Sequence, residues 1–269
     1  MTACTLPASA SHANVKASNF ALQDYFERIG YRGEPAADLA TLTELMRHQL
    51  FAIPFENLDV QAGRIVSLVP EEIVEKLLKR NRGGYCYEVN GLFCMALGAL
   101  GIACRFVAAR PMFYPVRRPK THMALVVTVD GRDWLCDLGF GSYGIRQPMA
   151  LDVLDVEVAQ DDDRFLLTRS GHEFVLRALV GGEWVDQYGF DLSPQEWIDF
   201  MPANYLNSTH PEAIFVQKLL VVRHTPAGRA ILFGDTLKTV SHGEVSQRTL
   251  AAQERDQVLA SVFGLDPVR

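Results

Sequence analysis

The chain lacks any pairing scheme for its cysteines. Among 269 residues there are five, an odd number and widely scattered, and neither a Cys-x-x-Cys nor a His-x-x-x-His pair occurs. A disulfide framework is thereby excluded, and the usual ligand spacings of a zinc site are missing, so no metal is expected. Basic excess is lacking too: 26 Lys and Arg stand against 32 Asp and Glu, a net charge of −6, which argues against a nucleic-acid partner. No apolar run approaches the length that spans a membrane, so no membrane partner is expected. Residues 1–18 are small and polar without the apolar stretch of a signal peptide, and residues 1–19 are read as a disordered lead-in. Together with unpaired thiols, these absences point to a reducing cytoplasm. Internal repeats and low-complexity arrays are also missing. What remains is ordinary globular composition, 48% hydrophobic and 22% charged, long enough to bury a large core in one to three domains.

Three regions follow from the change of period along the chain. Residues 20–103 have helical patterns at 37–50, at 70–80 (opened by Pro70, Glu71 and Glu72) and at 86–100. From Ile102 the period becomes two, with Ile102, Cys104 and Phe106 alternating, so residues 104–205 are expected to form short strands, with a short helix at 194–200. The acidic run Gln160-Asp161-Asp162-Asp163 is expected at a solvated hairpin tip. Residues 206–269 read as an α/β region, with a hairpin around Pro226-Ala227-Gly228 and a final helix from about 249 to 263.

The most informative run is Arg82-Gly83-Gly84-Tyr85-Cys86-Tyr87-Glu88. Two glycines allow a sharp turn. An amphipathic helix starts directly after them, with Val89, Leu92, Phe93, Ala96, Leu97 and Leu100 on one stripe. Cys86 falls in its first turn, where unpaired N–H groups and the positive dipole end favour thiolate over thiol. Two readings stand at this point: a primed nucleophile, or a small buried core residue.

His122 opens the β-branched run His-Met-Ala-Leu-Val-Val-Thr-Val, and Asp130-Gly131 is a strong hairpin turn leading into a second strand that ends at Asp137. A two-residue turn sets Val129 opposite Arg132, His122 opposite Gly139 and Ala124 opposite Asp137. His122 and Asp137 then become diagonal neighbours on one face, roughly 7–8 Å apart at the backbone, which their side chains can bridge. A four-residue loop keeps this parity, and a three-residue loop reverses it. Each residue also has a plainer reading: a satisfied histidine at a strand start, and a turn-capping aspartate. Taken together, Cys86, His122 and Asp137 make the thiolate, base and orienting carboxylate of a triad. Zinc on the same three side chains is a weak alternative.

These residues sit among further motifs: Asp24-Tyr25-Phe26-Glu27-Arg28-Ile29-Gly30-Tyr31, Ile53-Pro54-Phe55-Glu56-Asn57-Leu58, Thr121-His122, Asp137-Leu138-Gly139-Phe140-Gly141 and Ser208-Thr209-His210-Pro211. In this order, from about residue 20 to 239, the chain resembles the arylamine N-acetyltransferases. Leu138, where valine is commoner, and a longer N-terminus are its departures. The resemblance implies an α+β fold in three regions: an N-terminal helical bundle, a β-barrel domain and a C-terminal α/β lid on a cysteine-protease-like core. It implies transfer of acetyl from acetyl-CoA to arylamines or arylhydrazines through acetyl-Cys86, in a ping-pong cycle serving xenobiotic metabolism. Thr121, Gly141 and Thr209 match positions along the acetyl-CoA arm, and Phe55 and Phe140 match the acceptor pocket, with plain core packing as their alternative. Arg82 and Glu56 match a structural ion pair. The loop Arg117-Arg118-Pro119-Lys120 is open to two readings, a solvated loop or a contact for CoA phosphates. Cys94, Cys104 and Cys136 are expected to be buried and inert. Two other functions stay open here: a different Cys-His-Asp acyltransferase or peptidase, and a non-catalytic module that binds CoA or a small molecule.

Overall fold

The computed structural model describes residues 15–141 and 143–266. The helical part comprises α1 (Leu22–Ile29), α2 (Leu39–Ala52), α3 (Leu58–Gln61), α4 (Pro70–Val74) and α5 (Cys86–Ala99), with the two-residue strand β1 (Phe55–Glu56) between α2 and α3. Local chemistry sets their ends. The Asp38 carboxylate accepts the Thr41 N–H at 2.8 Å and starts α2 two residues later than its apolar pattern. Gly30, at φ 71°, stops α1. The pattern at 70–80 is not one regular helix, because α4 passes into a π-helical turn at Glu75–Lys79.

Eight antiparallel strands follow: β2 (Ala103–Pro111), β3 (His122–Val129), β4 (Arg132–Cys136), β5 (Met149–Ala150), β6 (Glu157–Gln160), β7 (Asp163–Ser170), β8 (Glu173–Val180) and β9 (Glu183–Phe190). They form one curled sheet in the order β5-β4-β3-β2-β9-β8-β7-β6, an α+β arrangement with β3 near its middle. A 3₁₀ turn at Trp197–Phe200 leads into α6 (Met201–Thr209) and α7 (Ile214–Gln217). A second sheet then builds from β10 (Leu220–Thr225), β11 (Gly228–Phe233), β12 (Thr236–Ser241) and β13 (Glu244–Thr249), and α8 (Arg255–Ser261) comes last.

Burial of apolar surface is the main stabilising term, and one continuous core runs from Val15 to Val222, so the helical and β regions share it. A smaller core joins Leu58, Val221, Leu232 and Phe263 beneath the second sheet. Phe55 and Glu56 of β1 pair with Val222 and Val221, so a strand from the helical region is the edge of the C-terminal sheet.

Four expectations need correction. Residues 15–19 of the lead-in are docked: Val15 is buried, and the Ser18 N–H and hydroxyl both donate to Glu71, at 2.9 and 3.1 Å. The remaining residues, 1–14, lie outside the described residues. A hairpin tip does lie between β6 and β7 with Asp161 and Asp162 exposed, but it is also held by arginines, with Arg47 on Asp161 at 3.1 Å and Arg146 and Arg229 on Asp163 at 2.9 and 2.7 Å. Thr249 ends a strand, and the last helix begins only at Arg255, after a 3₁₀ turn at Ala252–Glu254. Gly83 and Gly84 are glycines for want of room, since neither has positive φ. A Cβ on Gly83 would lie 2.0 Å from the Pro54 carbonyl oxygen, and one on Gly84 would meet the Glu88 side chain at 2.7 Å. That close approach lets Gly84 exchange hydrogen bonds with Pro54 and Glu56.

Candidate active site

Cys86 is the first residue of α5, so its N–H faces no carbonyl of its own helix. It is 4% exposed, at the floor of a cleft of about 560 Å³. The helix start is anchored from beneath by Glu88, whose carboxylate accepts the Tyr85 N–H at 3.1 Å and takes an ion pair from Lys76 at 2.7 Å. Lys76 also pairs with Asp59 at 2.5 Å, Arg64 pairs with Asp59 at 2.7 Å, and Arg82 bridges Glu56 at 2.7 Å and Asp59 at 3.0 Å, which places the expected Arg82–Glu56 pair within a six-member network. Burial raises the Glu88 carboxyl to about 7 despite the neighbouring ammonium. Asp59 is driven the other way: burial opposes its charge, but Lys76 and Arg82 overcome it and hold its carboxyl well below the ordinary range.

The β3–β4 hairpin has the register read from the sequence. Val129 pairs with Arg132 and Leu125 with Cys136, and the turn residues Asp130 and Gly131 have φ 52° and 72°. Continuing that ladder, the side chains of His122 and Asp137 meet, Nε2 to Oδ2 at 2.7 Å, both buried. Asp137 is held on its other oxygen by the Asn90 amide at 3.1 Å and the Gly139 N–H at 2.9 Å. Burial alone would lower the His122 pKa, but the Asp137 carboxylate and hydrogen bonds to Asp137 and Cys86 raise it to about 10. Cys86, His122 and Asp137 therefore form one continuous line.

Asn90 was legible only as a polar residue interrupting the apolar stripe of α5. It lies one helical turn after Cys86 and is fully used: its amide also donates to the Met123 carbonyl at 2.7 Å, and its oxygen accepts the Leu138 N–H at 2.9 Å. The helix that carries Cys86 and the Asp137 loop are thus tied by one side chain. Gly139 completes the fit, because a Cβ there would lie 2.4 Å from the Cys86 Cα.

Aromatic rings line the cleft. Phe140 stands edge-on to His122 at 5.1 Å and packs on Tyr188 at 4.8 Å, while Phe55 meets Phe215 at 5.9 Å. Burial, with Asp137 close by, keeps the Tyr188 phenol pKa well above its ordinary value. Thr121 is on the wall, and its carbonyl accepts from Tyr87 at 2.7 Å and Asn207 at 3.0 Å. Gly141 and Thr209 are not cleft-wall residues. Gly141 has φ 97° and its carbonyl accepts from His224 at 2.8 Å, while the exposed Thr209 hydroxyl donates to the Tyr205 carbonyl at 2.7 Å. Cys94, Cys104 and Cys136 are buried away from the cleft; hydrogen bonding to Cys94 together with burial raises the Cys104 thiol, and burial raises that of Cys136. Among the described residues no cluster of three or more His, Cys, Asp or Glu side chains is arranged to hold a metal, and no helix is long and apolar enough to cross a membrane.

Known proteins match this chain along most of its length. An N-acetyltransferase family profile matches residues 38–268. Arylamine N-acetyltransferase of Mycolicibacterium smegmatis is 35% identical over 254 residues, covering 91% of this chain and 92% of that one. Human arylamine N-acetyltransferase 1 is 30% identical over 91% of this chain and 93% of its own. Among solved structures, the Nocardia farcinica arylamine N-acetyltransferase superposes with a TM-score of 0.89 at 37% identity, over 96% and 93% of the two chains. The Mycobacterium marinum enzyme in complex with CoA superposes at 0.86 and 31% identity, over 91% and 93%. The chain belongs to the arylamine N-acetyltransferase family.

Proposed function

We propose that this protein transfers acetyl from acetyl-CoA to arylamines or arylhydrazines by a ping-pong cycle through acetyl-Cys86. The observation that carries the mechanism is the buried Cys86–His122–Asp137 line on the floor of an aromatic cleft. His122, with its raised pKa, serves as the imidazolium partner of the Cys86 thiolate. The thiolate attacks the thioester carbonyl, and the unpaired Cys86 N–H at the helix start is aimed to stabilise the oxyanion. Collapse expels the CoA sulfur, which takes the His122 proton and leaves acetyl-Cys86 with a neutral imidazole. An amine then attacks, its proton passes to His122, and the amide departs with the thiolate–imidazolium pair restored. Asp137, fixed by Asn90 and Gly139, holds the imidazole by Nε2 so that Nδ1 is directed to the sulfur.

Thr121 on the wall would meet the pantetheine arm, and Phe55 and Phe140 offer faces and edges to a planar acceptor. The regions 20–103, 104–205 and 206–269 then act as the nucleophile's bundle, the carrier of base and carboxylate, and the lid over the cleft. A cytoplasmic role in xenobiotic metabolism fits this chemistry. Initial rates with acetyl-CoA and 4-methylaniline varied together test the cycle. Parallel double-reciprocal lines are expected, whereas intersecting lines, or hydrolysis with no N-acetyl product, would refute it.

A further inference from the structure

Next to the cleft wall lies a buried histidine whose hydrogen bonding is half unused. His224, on β10, is 3% exposed. Its Nε2 donates to the Gly141 carbonyl at 2.8 Å, so the ring proton sits on Nε2 and Nδ1 is left as an acceptor. Among the described residues no donor reaches that Nδ1. The ring does not take a second proton, because burial, and then the Arg146 and Arg229 guanidinium groups, lower its pKa to about 3. A buried polar atom without a partner is destabilising, and an apolar side chain of similar volume would avoid that cost. Packing therefore does not account for a histidine at this position, whereas the bond to Gly141 does.

The bonded carbonyl belongs to the residue after Phe140, which lines the cleft and stands edge-on to His122 at 5.1 Å. The same carbonyl closes a turn by accepting the Gly144 N–H at 3.3 Å. Two further ties reach this stretch from the C-terminal sheet. Arg229 of β11 lies 4.6 Å from the ring centre of Tyr143, another wall residue, and Arg146 donates to the Thr225 and Gly228 carbonyls at 2.8 and 3.1 Å. Both arginines also bind Asp163 and so hold the fold together. The His224 ring makes one hydrogen bond among the described residues, the one to Gly141. Resting on the acetyltransferase reading above, we infer that His224 is a positioning residue for the acceptor. By fixing the Gly141 carbonyl it sets where the Phe140 ring stands against His122, and so how well a planar amine is held there.

The test sets function against stability in wild type, His224→Met and His224→Gln. Methionine fills the site without a donor, so kcat/KM for 4-methylaniline should fall by roughly threefold to tenfold, the span of one neutral hydrogen bond, mainly through a higher KM. Its Tm should stay level or rise, since the unpaired Nδ1 is gone. Alkylation of Cys86 by iodoacetamide, which needs no acceptor pocket, should change by less than about twofold. Glutamine can present an N–H where Nε2 stood, so His224→Gln should recover kcat/KM to within about twofold of wild type. A methionine variant with a lowered Tm, or with wild-type kinetics, would overturn the assignment, because the histidine would then serve packing alone. So would a glutamine variant as slow as the methionine one. A wild type that forms no N-acetyl product refutes the acetyltransferase reading itself, and the Tm comparison still decides whether His224 is there for stability.

Discussion

Gly139→Ala places one methyl group against Cys86, the proposed nucleophile. Its Cβ would lie 2.4 Å from the Cys86 Cα, 2.9 Å from the Cys86 Cβ and 3.0 Å from Val89 Cγ2. Ordinary contact begins at 3.4 Å, so the Asp137 loop and the start of α5 must separate by at least 1.0 Å (3.4 less 2.4). The neighbour is backbone on the first turn of a helix, so no rotamer change relieves the clash. Overpacking of this kind costs about 1–3 kcal/mol, and in a chain of this size each kcal/mol lowers Tm by roughly 2–4 °C. The same ångström is taken from the Cys86–His122 alignment, where a misplacement of about 1 Å costs on the order of 10²-fold in rate. Thermal unfolding and single-turnover acetylation measure the two effects separately, and the rate should fall far more than the stability. An alanine variant with wild-type Tm and wild-type acetylation would show that the close contact does not set the nucleophile's position.

Asp137→Asn should preserve the hairpin but lower turnover on the order of 10⁴-fold, as wrong-tautomer variants of other triads do, read in steady-state acetylation. His122 has a folded-state pKa raised from 6.5 to about 10, so its contribution to stability is complete below 6.5 and is lost as pH rises toward 10. The difference in urea midpoint between wild type and His122→Gln should therefore shrink across that window, and a constant difference would contradict the pairing. Asp163, held below the ordinary carboxylate range because Arg229 and Arg146 outweigh its burial, stabilises above its unfolded pKa and loses that contribution as pH falls. Asp163→Asn leaves two buried guanidinium groups short of charge and should cost about 3 kcal/mol at neutral pH, measured by chemical denaturation.

The site was legible where function depends on local rules. A cysteine at a helix start and a register fixed by Asp130-Gly131 pointed to Cys86, His122 and Asp137, because parity across a two-residue turn sets His122 and Asp137 on one face. Asn90 and Gly139 were missed as positioning residues because their role depends on which loop packs against α5, a contact between residues 47 and 53 positions apart in sequence. The hairpin tip at Asp161–Asp163 read as solvated because Arg47, Arg146 and Arg229 are distant in sequence and the charge run by itself offers no partner. Strands β12 and β13 were unrecognised since their outward faces are polar; every residue of β13 is exposed. Helix α6 was hidden because its buried residues Asn204, Asn207 and Ser208 are polar, and their partners are Tyr85, Tyr87 and the Thr121 carbonyl.

Covalent catalysis at Cys86 is tested most directly by intact mass spectrometry after mixing the protein with acetyl-CoA alone. With no amine present only water can resolve the thioester, so one acetyl group should accumulate, map to Cys86 on digestion, and leave as N-acetyl product when an arylamine is added. Cys86→Ser should carry no adduct. An acetyl group on another residue, or transfer that persists in the serine variant, would contradict the mechanism.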